Sequence, residues 1–148
     1  MIHFGDEKLG KALFKLRDYT PVPLICMIPF VLNPTITSAC LGTLLICFGE
    51  VFRIYSVSFI GSVSRTRKNN TGGKLVVEGP FSFVRNPLYV GNFFIVFGLC
   101  IFLHSIWFTI LTLLLFAFQY YHIVLYEEKL LEASYGEEYL KYKKRVKT

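Results

Sequence analysis

Residues 86–126, NPLYVGNFFIVFGLCIFLHSIWFTILTLLLFAFQYYHIVLY, contain no Asp, Glu, Lys or Arg, and only His104 and His122 titrate near neutrality. A helix needs about 20 mostly apolar residues to cross a hydrocarbon core, so this stretch is long enough for two crossings. His104-Ser105 supplies the turn between them. The reading predicts one apolar helix from Tyr89 to Leu103 and a second from Ile106 to Tyr126. Gly136 suits the termination of the second. A similar stretch lies earlier: between Tyr19 and Ser64 the only charged residues are Glu50 and Arg53. Pro21 to Leu32 reads as a short first span that ends at Asn33-Pro34, and a long helix follows from about Thr35 to near Ser62.

The remaining sequence fits the same plan. Hydrophobic residues make up 53% of the 148, too many for a soluble domain of this size. The expected architecture is all-α, a polytopic integral membrane bundle of about four transmembrane helices forming one domain over 1–148. Leu9 to Tyr19 reads as an amphipathic lead-in, and Ser64 to Gly73 as a basic surface loop. Every Lys and Arg except Arg53 falls in the lead-in, the central loop with its approach to Pro87, or the C-terminal segment. In a four-span arrangement these share one side, which the positive-inside rule makes cytoplasmic, with both termini there. The net charge of +6 then reflects attraction to anionic lipid headgroups rather than nucleic acid. No cleavable signal is legible, and Cys26, Cys40, Cys47 and Cys100 lie in apolar runs with no metal-ligand spacing.

Polar groups at membrane depth are costly and mark candidate sites. Glu50 and Arg53, three apart on a helix, read first as an intrahelical ion pair. His122 and Gln119 are also three apart, at the cytoplasmic end of the last span. The segment from Glu78 to Asn92, EGPFSFVRNPLYVGN, is denser. Pro87 suits a first helical turn, the helix start offers backbone amides to an anion, and Gly91 permits close approach. A re-entrant turn with an interfacial Arg-Tyr anchor accounts for the same residues. Glu127-Glu128 follows the last apolar run. Neighbours on a helix point in different directions, so one acid can face the bundle while the other stays solvated. In the tail, Tyr139, Tyr142 and Val146 share one helix face.

Together these segments resemble the isoprenylcysteine carboxyl methyltransferase family, small membrane enzymes related to the phospholipid N-methyltransferases. Its members carry Gly-x-Tyr-x-x-x-Arg-His-Pro-x-Tyr-x-Gly, two membrane segments, a Glu-Glu pair, and Gly-Glu-Glu-Tyr-x-x-Tyr. Here these read Gly79 to Gly91, then Glu127-Glu128, then Gly136-Glu137-Glu138-Tyr139-Leu140-Lys141-Tyr142. The resemblance implies a catalytic part at about 64–148. It also implies S-adenosylmethionine as methyl donor, held by Gly73, Lys74, Leu75, Val76, Phe81, Asn86, Pro87, Leu88 and Tyr89. Glu127, Tyr89 and Arg85 would be catalytic, Glu127 and His122 would face the acceptor, and no metal is implied. The acceptor would be a prenylcysteine-like carboxylate or another membrane lipid, in a bacterial inner membrane or the endoplasmic reticulum. Three positions depart from the pattern: Asn86 replaces His, Phe81 replaces Tyr, and Ile123 stands where relatives often have Arg. Two other readings remain open: a sterol-reductase-like enzyme using NADPH, and a non-enzymatic membrane protein that binds a lipid or partner.

Overall fold

The computed structural model describes residues 4–60 and 75–147, with side chains from Lys8 onward. Among them the chain is all helical: α1 (Phe4–Leu16), α2 (Val22–Val31), α3 (Ile36–Ile60), α4 (Pro87–Leu103), α5 (Ile106–Tyr135) and α6 (Glu137–Arg145), with a single 3-10 turn at Gly79–Ser82 before α4. Two helices, α3 and α5, are long and apolar enough to cross a membrane, while α2 and α4 are apolar but shorter. The whole basic loop from Ser64 to Gly73, together with Lys74 of the expected cofactor strip, lies outside the described residues.

Local chemistry explains the helix ends. Thr35 and Ser38 cap α3 reciprocally: Ser38 N–H donates to Thr35 Oγ1 at 3.1 Å and Thr35 N–H to Ser38 Oγ at 2.9 Å. Pro87 occupies the first turn of α4, which needs no N–H there. At the other end of α4, His104 adopts a left-handed conformation with φ 54° and its N–H returns to the Ile101 carbonyl at 3.1 Å. α5 does not stop at Tyr126; it runs on through both acids to Tyr135, and Gly136 separates it from α6. Its 30 residues make a rod of about 45 Å. That exceeds a hydrocarbon core of about 30 Å by several turns.

The principal packing unit is the antiparallel pair α3–α4, and small residues build it. The only buried side chains of α3 are Ser38, Gly42, Gly49 and Ser56, while Leu41, Leu44, Phe48 and Val51 face outward. Gly42 lies against Gly98, and Gly49 against Gly91. A methyl group added at Gly42 would come within 2.6 Å of the Gly98 carbonyl oxygen, and one at Gly49 within 2.7 Å of that of Gly91. The seven-residue spacing on both helices keeps one seam in contact. Small residues inside and bulky apolar residues outside are the pattern of helices that associate in lipid, where close van der Waals contact drives pairing. The turn between α2 and α3 is tied to the far end of this pair, since Asn33 N–H donates to the Leu103 carbonyl at 3.3 Å.

Gly42→Ala is expected to destabilise the detergent-solubilised protein by about 1–3 kcal/mol through overpacking. Leu44→Ala, on the outward face, is the control: its midpoint in a thermal unfolding series should stay near wild type. Equal stability of Gly42→Ala and wild type would show that the seam is not close packed.

Candidate functional site

The start of α4 and the C-terminal part of α5 converge on two polar groups that are adjacent in sequence but face opposite ways. The first contains Glu127. Its carboxylate faces the Tyr89 hydroxyl, the two being electrostatically coupled, and Arg17 Nη1 lies 3.5 Å from Oε1. The Tyr89 ring meets Tyr120 edge-on at 4.7 Å between centroids, and Tyr120 stacks on Phe116 at 4.1 Å. From Tyr120 the polar contacts continue across α4 into α3. Asn92 Nδ2 donates to the Tyr120 hydroxyl at 3.1 Å, Arg53 Nη1 to Asn92 Oδ1 at 3.5 Å, and Arg53 Nε lies 3.7 Å from Glu50. The expected Glu50–Arg53 ion pair is thus present and forms one end of a longer chain of contacts.

The second group contains Glu128, which is almost fully buried at 6% exposure. Arg85 Nη2 and Lys143 Nζ each lie 3.0 Å from its oxygens. Arg85 Nη1 also donates to the Lys143 carbonyl at 3.3 Å, and its backbone N–H to the Lys147 carbonyl at 3.2 Å. Lys143 bridges further to Glu132 at 2.6 Å. Beside these charges Tyr139, Tyr142 and Val146 form a small buried cluster with Leu75, Val77, Leu131 and Tyr135 packed around it. The shared face read from the sequence is the docking face of α6. Tyr142 completes the joint by donating to the Phe81 carbonyl at 2.7 Å. Burial raises the Tyr139 and Tyr142 hydroxyls above the usual tyrosine range, so both stay protonated donors.

These two groups sort the sequence candidates. Tyr89 and Glu127 are brought together, with Asn86, Pro87 and Leu88 immediately before Tyr89. Arg85 is turned the other way and fastens the tail, and Phe81 is buried beneath α6 with its carbonyl engaged by Tyr142. His122 joins neither group: its Nδ1 contacts the Phe118 carbonyl of its own helix at 2.8 Å. Ile123 is fully buried. The helix start offers fewer amides than its position suggests, because the Tyr89 and Val90 N–H groups both return to the Asn86 carbonyl. Asn86 instead leaves its own amide nitrogen, Nδ2, buried without a partner among the described residues. Leu75, Val76 and Val77 run without helical structure.

Sequence reasoning missed Tyr120, Asn92 and Arg17. The first two were legible: Tyr120 is two turns before Glu127, and Asn92 is one turn after Tyr89, on the same helix faces. Arg17 had no such signal, since its partner is far away in the chain. Among the described residues no group of three or more His, Cys, Asp or Glu side chains gathers to hold a metal.

An all-helical membrane protein with an aromatic-lined carboxylate at the head of a short apolar helix defines a class, and the sequence comparisons place it. Residues 37–138 match the family model described as phospholipid methyltransferase, and the chain belongs to this family of membrane methyltransferases. It is also similar to the cobalt-zinc-cadmium resistance protein CzcN of Cupriavidus metallidurans, with 34% identity over 97 residues. That alignment covers 66% of this chain and 42% of the relative, so the chain spans less than half the length of the curated protein it matches.

The tail joint has a measurable consequence. Removing the Glu128 charge leaves Arg85 and Lys143 facing each other, a cost on the order of 3 kcal/mol for a buried pair that loses one partner. Glu128→Ala should therefore free α6, and limited trypsin digestion should cut at Lys143–Arg145 faster than in wild type while the α3–α4 pair stays resistant. Lys143 is held above the usual lysine range, chiefly by its hydrogen bond to Glu132. Its contribution to docking is thus full below the ordinary lysine value and lost as pH rises through the raised one.

Proposed function

We propose that the protein transfers a methyl group from S-adenosylmethionine to a membrane-borne acceptor, at the level where α4 begins. The observation that carries this reading is the Tyr89–Glu127 pair with its aromatic wall and, three residues before Tyr89, the orphaned Asn86 amide. When bound, S-adenosylmethionine supplies a methyl group on a positively charged sulfur. The residues present fit such a ligand. Asn86 Nδ2 and the Leu75–Val77 backbone would hydrogen-bond its polar parts, and Gly73 and Lys74 complete the set that the resemblance implies. The faces of Tyr89 and Tyr120 suit a sulfonium cation. Arg85 acts here by holding α6 over the turn that positions Phe81 and Asn86, and His122 stands further along α5 on the acceptor side.

Transfer breaks the carbon–sulfur bond and forms a bond from the same carbon to an acceptor oxygen or nitrogen, leaving a neutral thioether. A carboxylate acceptor gives an ester with no proton to move. An amine acceptor must lose one proton, which Glu127 can take, with the Tyr89 hydroxyl stabilising whichever oxygen stays charged. For either acceptor the protein's main task is alignment and exclusion of water from the reacting line. A prenylcysteine-like carboxylate or a lipid headgroup meets these requirements.

The membrane arrangement we propose has four crossings by α2 to α5, with both termini on the cytoplasmic face and the whole chain acting as one domain. The distribution of Lys and Arg supports it. So does the depth of the site. Counting from Ile106, Glu127 stands about 30 Å along α5, where a helix beginning at the opposite interface emerges from the hydrocarbon. The acceptor would then approach laterally from the bilayer and the donor from the cytoplasm.

Calorimetric titration of the detergent-purified protein tests the reading. Saturable binding of S-adenosylhomocysteine, weakened about tenfold or more in Tyr89→Ala by loss of the aromatic face and the contact to Glu127, is the expected result. Binding of NADPH in its place would assign a reductase. A folded sample that binds neither would assign a non-enzymatic role.

A further inference from the structure

The residues matched to the family begin at 37, so α1 lies outside them, yet α1 delivers a charge to the centre of the site. The delivery is built in three steps along one face. Gly10 sits flush on α5, where an added methyl would come 2.8 Å from the His122 carbonyl oxygen and 3.0 Å from Tyr126 Cβ. One turn on, Phe14 meets the Tyr126 ring at 5.7 Å. Just past the helix end, the Arg17 guanidinium lies over the Phe14 ring at 4.8 Å and reaches Glu127 at 3.5 Å. The neighbouring Asp18 is a looser partner at 3.8 Å. The groups around the Glu127 carboxylate are therefore Tyr89 from α4, Arg17 from the segment after α1, and Tyr120 on its own helix, while His122 is turned to the Phe118 carbonyl. Glu128 next door is engaged by Arg85 and Lys143. Arg17 is thus the one cation recorded in contact with Glu127 among the described residues.

We infer that Arg17 is a positioning residue of this site: its guanidinium faces the Glu127 carboxylate and holds it toward Tyr89, so that the site is complete only when α1 is docked on α5. The inference rests on the proposed reading for its consequence in catalysis but not for the contact itself. Burial favours the neutral form of Glu127, and the Arg17 guanidinium opposes that preference. A neutral Glu127 would compete with Tyr89 as a donor rather than accept from it, and would have no capacity to take a proton.

Two measurements on the purified full chain test this. The first is an infrared titration of the protonated-carboxyl band, assigned to Glu127 by its loss in Glu127→Gln. In Arg17→Gln the pH at which that band appears should rise by about 1 unit or more relative to wild type. Arg17→Lys should restore most of the wild-type midpoint, which a merely structural role would not require. The same midpoint in wild type and Arg17→Gln would overturn the inference. The second is calorimetric binding of S-adenosylhomocysteine by the wild-type chain, which tests the methyl-transfer reading separately from the Arg17–Glu127 contact. An infrared shift in a protein that binds no S-adenosylhomocysteine would sustain the Arg17–Glu127 coupling while removing the methyl-transfer reading. Binding without an infrared shift would do the reverse.

Discussion

Two helix backbones in direct contact set the frame for everything else in this protein. Where Gly42 meets Gly98 and Gly49 meets Gly91, no side chain separates α3 from α4. Lipid offers apolar helices no hydrophobic incentive to associate, so such contact supplies the attraction that water would otherwise provide. The seam also sets the register of the two helices. It places Arg53 beside Asn92, since the position of Gly91 is bounded by the Arg53 backbone nitrogen and Cβ. The chain of contacts from Glu50 to Tyr120 therefore depends on backbone proximity one turn away. Gly79 repeats the device at the turn before α4. Its positive φ of 58° and the Phe59 ring, which lies where a side chain would go, hold the turn against the end of α3.

Adjacent acids on one helix divide two tasks. Glu128 is consumed by structure: it accepts from Arg85 and Lys143 and so pins the turn before α4 to the tail after α5. Glu127 points to the other side of the rod and keeps its carboxylate for Tyr89 and Arg17. The joint made by Glu128 fixes the rotation of α5 about its axis, and that rotation presents Glu127. Of the two consecutive glutamates, one is taken up by the tail joint and the other is left on the Tyr89 side. Which is which follows from the location of Arg85.

Much of this organisation was readable in advance. Charge-free stretches, Asn33-Pro34, Pro87 and Gly136 gave the helices and their limits closely, because helix termination in an apolar chain is governed by local backbone chemistry. The tail face of Tyr139, Tyr142 and Val146 was legible from spacing, and so was the Glu50–Arg53 pair. What escaped depends on tertiary direction. The glycine heptads were present in the sequence, but their meaning required knowing that α3 and α4 are partners. Arg85 carries the same motif position whether it faces a ligand or a tail carboxylate. The Arg17–Glu127 contact joins opposite ends of the chain and leaves no local pattern at all.

The backbone-to-backbone seam also constrains how the sequence can drift. At an ordinary core contact, a larger residue on one side is tolerated when its partner shrinks, and such exchanges leave paired changes among descendants. At Gly42–Gly98 and Gly49–Gly91 the obstacle to growth is a carbonyl oxygen, and the partner is already the smallest residue available. No second-site change can make room. These four positions should be held singly rather than in correlated pairs, while the lipid-facing surface a few ångströms away is free to exchange one apolar residue for another.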